Sequence, residues 1–82
     1  MSEKEIFDKV VKILVPYVRN EAGLKDIALT TNIVTDLQVN SSRLVDIILA
    51  MEDEFDIEIA DDEADKVETV GAAVSLIKGK IG

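Results

Sequence analysis

The 82-residue chain has no cysteine, no histidine and no tryptophan. Without thiols there are no disulfides and no thiol catalysis, and with histidine also missing there are no Cys/His metal sites. A Ser-His-Asp triad and histidine acid–base chemistry are excluded on the same grounds. Aromatic residues make up only 4%, so the core must be aliphatic. No run approaches the length of a membrane span. The charged opening Met1-Ser2-Glu3-Lys4-Glu5 has no apolar signal region behind it. A soluble cytoplasmic protein is expected, with no membrane insertion. Bases are scarce, nine against seventeen acids, for a net charge of −8. Nucleic acid is not an expected partner, because phosphate needs Lys and Arg to neutralise it.

What is present suffices for one small domain over residues 1–82, since 48% of the chain is apolar. The charge is concentrated. From Ser41 to Glu68 eleven acids face only Arg43 and Lys66, giving −9, while the remainder carries +1. Such a field attracts basic protein surfaces and speeds encounter with them.

Periodicity predicts helices. Ile6, Val10, Ile13, Leu14 and Tyr17 recur at helical spacing over Glu3 to Tyr17. Ser2 and Glu5 form a capping-box pattern at the start, and Pro16 ends or kinks the helix near Val15. A long connection from Arg19 to Asn40 follows. Its spaced apolar residues Leu24, Ile27, Leu29, Ile33, Val34 and Leu37 predict an ordered loop pinned to the core, with a helical turn at Leu24–Ala28. A second helix is predicted over Ser41–Phe55, apolar over roughly 200° of its circumference and polar along one stripe. Leu49 lies on the border of that stripe. A short turn at Ala60–Ala64 precedes a final helix, capped by Thr69 and running from Val70 to about Lys80. Gly79 and Gly82 are expected to let its end fray. Val45, Ile48, Met51, Ile59, Ala64, Val67, Ala73, Val74 and Ile77 are the predicted core of this second half.

The stretch Asp36-Leu37-Gln38-Val39-Asn40-Ser41-Ser42-Arg43-Leu44, continued to Phe55, resembles the acyl carrier proteins. Their pattern is Asp-Leu-Gly-x-Asp-Ser-Leu, then apolar positions, an acidic cluster and Phe. The likeness runs on without a gap through Ile57 to Val74. It implies an all-α fold: a small four-helix bundle of three main helices and one short one, with a long ordered loop after the first. It also implies a carrier, not an enzyme, with 4′-phosphopantetheine attached by a phosphopantetheinyl transferase. The thiol of that arm holds acyl groups as thioesters, which suits a chain without cysteine. Fatty acid, lipid and polyketide biosynthesis are the implied settings.

Ungapped alignment puts Ser41 at the attachment position, with Ser42 as second choice. A helix start suits a phosphodiester, because unpaired N–H groups and the dipole favour an anion there. Three residues depart from the pattern: Gln38 stands where the family has glycine, Asn40 where it has Asp, and Ser42 where it has Leu. These departures leave a second reading open, an unmodified acidic adaptor that keeps the carrier fold. Asp46, Leu49, Glu52, Asp53, Asp61 and Asp62 match positions that family members present to partner enzymes. The implied partners are acyl-transferring or acyl-ligating enzymes with basic docking surfaces, approached by a monomer. EF-hand spacing is missing, so no dedicated metal site is expected.

Overall fold

The computed structural model describes residues 2–81. Gly82, one of the two glycines expected to loosen the C-terminus, lies outside them. Helix α1 spans Glu3–Leu14. Ser2 caps it: its Oγ accepts from the Glu5 N–H at 3.2 Å and donates to the Glu5 carboxylate at 3.3 Å. Ile6, Val10 and Leu14, one turn apart, are fully buried. Pro16 lacks the N–H that would extend the helix, and the chain tightens into a 3-10 turn over Val15–Tyr17.

A short helix, α2, spans Glu21–Lys25, three residues earlier than the expected turn at Leu24–Ala28. Gly23 decides its place. A Cβ there would lie 3.0 Å from the Leu37 side chain and 3.2 Å from the Asp36 carbonyl oxygen. The turn therefore packs closely against the far end of its own loop. Asn20 Nδ2 donates to that same Asp36 carbonyl at 2.8 Å. The rest of the loop is ordered as expected, with Ile33, Leu37 and Val39 buried. Leu29 departs from the expectation, being exposed.

Much of the loop's hold is made by main-chain bonds rather than side chains. Gly71 N–H donates to Leu29 O at 2.7 Å, Val70 N–H to Thr31 O at 3.0 Å, and Ile33 N–H to Glu68 O at 2.9 Å. An antiparallel bridge pairs Asn32 with Thr69 between them. This strap ties the first loop to the start of the last helix. A Cβ on Gly71 would sit 2.6 Å from the Leu29 oxygen, so only glycine permits the approach.

Gln38 has φ 55°, in the left-handed region. The departure from the family's glycine thus falls where glycine is favoured, at a cost of about 1–2 kcal/mol for a side chain. Asp56 also has φ 52° and ends the next helix, a role short polar residues tolerate.

That helix, α3, spans Leu44–Phe55 and is preceded by a 3-10 turn over Ser41–Arg43. Helix α4 spans Asp61–Ala64, and α5 spans Val70–Ile81. Thr69 Oγ1 accepts from Ala72 N–H at 3.0 Å, which is the expected cap. The three twelve-residue helices pack with α1 against both α3 and α5. The expected core stands at Ile48, Met51, Ile59, Val67, Ala73, Val74 and Ile77, all buried, while Ala64 is half-buried. Val45 is not core: it is 64% exposed. Lys80 reaches α4 and meets Glu63 at 2.9 Å. That ammonium, and then the Ala60 N–H, hold the Glu63 carboxyl below its ordinary value.

Two glycines of α5 should respond with opposite signs. Gly79 has open space around its Cβ direction, so Gly79→Ala should stabilise by up to about 1 kcal/mol. Gly71→Ala should destabilise by about 1–3 kcal/mol by forcing the strap apart. Urea midpoints of the two variants check both.

Candidate functional site

The chain enters α3 through a turn made by Asn40. Its Oδ1 accepts from the Ser42 N–H and from the Ser42 hydroxyl, each at 3.0 Å. Its carbonyl accepts from the Arg43 N–H at 2.8 Å, an i to i+3 closure that makes the first turn 3-10. This is why the helical segment expected from Ser41 has its first α-helical residue at Leu44. The two candidate serines now differ. The Ser42 hydroxyl is held by its own cap, whereas among the described residues no group bonds the exposed Ser41 hydroxyl.

Ser41 stands on the edge of a cleft of about 550 Å³, within the range of small-molecule sites, roughly 300–1,000 Å³. Ile48, Ile59 and Val67, all nearly buried, give it an apolar floor. Leu44, Val45 and Leu49 form the α3 wall, and Asn32, Val34 and Thr35 form the wall opposite, from the first loop. Carboxylates of Glu52, Asp61, Asp65 and Glu68 line the remainder. Sequence reasoning missed the loop wall entirely and assigned Val45 to the core. The signal available was the i, i+4 pair Val45 and Leu49 along one border of the polar stripe, which marks an exposed apolar edge.

The acids expected to face partners fall into distinct settings. Asp46 is half-buried and pairs with Arg43 at 3.3 Å. Asp53 and Asp62 are exposed, and Asp61 lies exposed at the cleft edge. Glu52 is different: half-buried, it accepts the Ile59 N–H at 3.1 Å and so fastens the linker after α3. Leu49 is 58% exposed, beside Asp46 and Asp53 on the outer side of α3. Among the described residues no group of three acids converges as a metal site, and no helix is long and apolar enough to cross a membrane.

Residues 12–77 match the family model described as the phosphopantetheine attachment site. The chain belongs to the acyl carrier protein family. It is 46% identical to an acyl carrier protein of Lactobacillus acidophilus over 82 residues, all of both chains. With one from a Picosynechococcus species it shares 40% over 79 residues, 96% of this chain and 95% of that one. A solved acyl carrier protein from Enterococcus faecalis, described for its high thermal stability, has a TM-score of 0.80 and 38% identity. That likeness covers 98% of this chain and 99% of the other. The helical bundle expected from the resemblance is therefore the family's fold. The cofactor of this carrier is 4′-phosphopantetheine, and its role is to carry acyl groups to enzymes, not to catalyse.

The Asn40 cap makes a measurable distinction. Asn40→Ala removes both bonds to Ser42 and should cost about 0.5–2 kcal/mol, whereas Asn40→Asp should leave stability near wild type. Thermal unfolding of the two variants at neutral pH checks this.

Proposed function

We propose that Ser41 carries the phosphopantetheine arm and that the chain, as one carrier domain, presents acyl thioesters to biosynthetic enzymes of fatty acid, lipid or polyketide assembly in the cytoplasm. The observation that carries this reading is the free Ser41 hydroxyl beside the bound Ser42 hydroxyl. The local structure fits the group. An exposed hydroxyl at a helix entrance tolerates an added anion, because the first N–H groups and the helix dipole favour negative charge. In the transfer, Ser41 Oγ bonds to the phosphorus that bears pantetheine in coenzyme A. The pyrophosphate P–O bond breaks, adenosine 3′,5′-bisphosphate leaves, and the hydroxyl proton passes to the transferase. Once attached, the arm supplies the thiol that holds the acyl group. The apolar floor of Ile48, Ile59 and Val67 is suited to shelter an acyl chain from water.

Intact mass after incubation with a phosphopantetheinyl transferase and coenzyme A should rise by one phosphopantetheine. Ser41→Ala should abolish the gain and Ser42→Ala should retain it. A gain that survives Ser41→Ala and vanishes in Ser42→Ala moves the site by one residue. No gain with several transferases favours the adaptor reading.

Partner enzymes dock, in this reading, on the outer side of α3. Asp46 and Asp53 lie about 20° apart on the helical projection, and Leu49 and Val45 offer apolar contact next to them. Charge guides the encounter and apolar contact holds the pose. Single exposed ion pairs contribute only about 0–1 kcal/mol, so one reversal should matter modestly. Reversing both Asp46 and Asp53 to Lys should slow association with an acyl-transferring enzyme severely and flatten its salt dependence. Leu49→Ala should instead speed dissociation. Stopped-flow binding at two ionic strengths separates the effects, and unchanged kinetics in the double reversal would place docking elsewhere.

A further inference from the structure

Ser41 lines the apolar-floored cleft. The residues that flank the Ser41-Ser42 pair, Asn40 and Arg43, line a second hollow, a notch of about 360 Å³ between the end of α1 and the entrance to α3. Pro16, Tyr17, Val18, Arg19, Asn40 and Arg43 line it, two arginines and no acid. In a chain of net charge −8, a basic hollow two residues from the proposed attachment serine stands apart from its surroundings. Arg43 is also one of only two bases in the −9 segment from Ser41 to Glu68.

We propose that Arg43, aided by Arg19, clamps the phosphodiester that Ser41 acquires, and that this draws Arg43 away from Asp46. The inference rests on Ser41 being the attachment residue. Arg43 lies two residues from Ser41 in the same 3-10 turn, and its guanidinium presents planar, paired donors that match phosphate oxygens. Its present partner holds it loosely: the contact to Asp46 is 3.3 Å, with the Arg43 side chain 63% and the Asp46 side chain 45% exposed. An exposed pair of this kind is weak. A phosphodiester tethered within the same turn competes at high local concentration. Loading then has two consequences. The new negative charge is neutralised where it forms, and the Asp46 carboxylate is released onto the outer side of α3. The loaded carrier presents a more acidic docking face than the unloaded one, so enzymes that act after loading meet a different surface from the transferase.

The test compares unloaded and loaded forms of wild type, Arg43→Gln and Asp46→Asn, with loading at Ser41 verified by mass. In wild type, loading should shift the Arg43 Nε–H resonance, and high salt should reverse that shift. The phosphodiester ³¹P resonance of loaded wild type should differ from that of loaded Arg43→Gln. Loading should lower the melting temperature of Arg43→Gln by a few degrees relative to its effect on wild type. Asp46→Asn should enlarge the benefit of loading, because the competing carboxylate is gone. Arg43 is exposed, so its replacement leaves folding intact. Loading at Ser41 with identical ³¹P resonances and equal melting shifts in wild type and Arg43→Gln overturns the clamp alone. Failure to load at Ser41 overturns the clamp together with the attachment reading.

Discussion

The main-chain strap between residues 29–33 and 68–71 is the constraint on which the site depends. Its bonds join two segments that are distant in sequence, the middle of the first loop and the entrance to α5. The strap holds the first loop beside the α4–α5 connection, and the cleft is the space left between these and α3. Asn32, Val34 and Thr35 reach the cleft only because the loop is held there. Buried Ile33 and Leu37 supply the apolar anchor, but the register comes from the backbone, and the register exists because residue 71 has no side chain. Three helices packed around an aliphatic core fix the outline; the strap turns a loop into a wall.

Much of the architecture is legible in the residues. Ser2, Pro16 and Thr69 mark helix limits by local chemistry, with a side-chain acceptor at each start and a missing donor at the stop, and the structure follows them closely. The buried faces of α1 and α5 follow from helical spacing. What escapes is information carried by the backbone or by surroundings distant in sequence. The strap uses N–H and C=O groups, which every residue type but proline possesses in full. Helix α2 is set by the packing of Gly23 against residues 36 and 37, contacts that no local window contains. Val45 is apolar at a core-like spacing, yet α3 is covered on fewer sides than its composition suggests. Ser41 is proposed by likeness, whereas the difference between it and Ser42 is a hydrogen bond that only the folded chain reveals.

Charge is distributed as purposefully as apolar surface. Lys78 meets Glu3 at 3.7 Å, Lys80 meets Glu63 at 2.9 Å, and Lys9 meets Glu54 at 3.5 Å. Lys9 of α1 and Lys78 and Lys80 of α5 thus stitch elements together. The acids Asp53, Asp61 and Asp62 remain exposed. The asymmetry visible along the chain thus leaves acids from α3 to α4 open to basic surfaces.

That asymmetry bears on Val45 and Leu49. Two exposed branched aliphatic side chains, 64% and 58% accessible, are ordinarily an invitation to self-association. Here the neighbouring charges on α3 are mainly acidic, Asp46, Glu52 and Asp53 against Arg43, an arrangement that disfavours a second copy bringing the same face and admits a cationic surface. Discrimination between self and non-self is thereby achieved without covering the sticky residues. Under the docking role proposed for α3, a permanently open contact surface is compatible with the expected monomer.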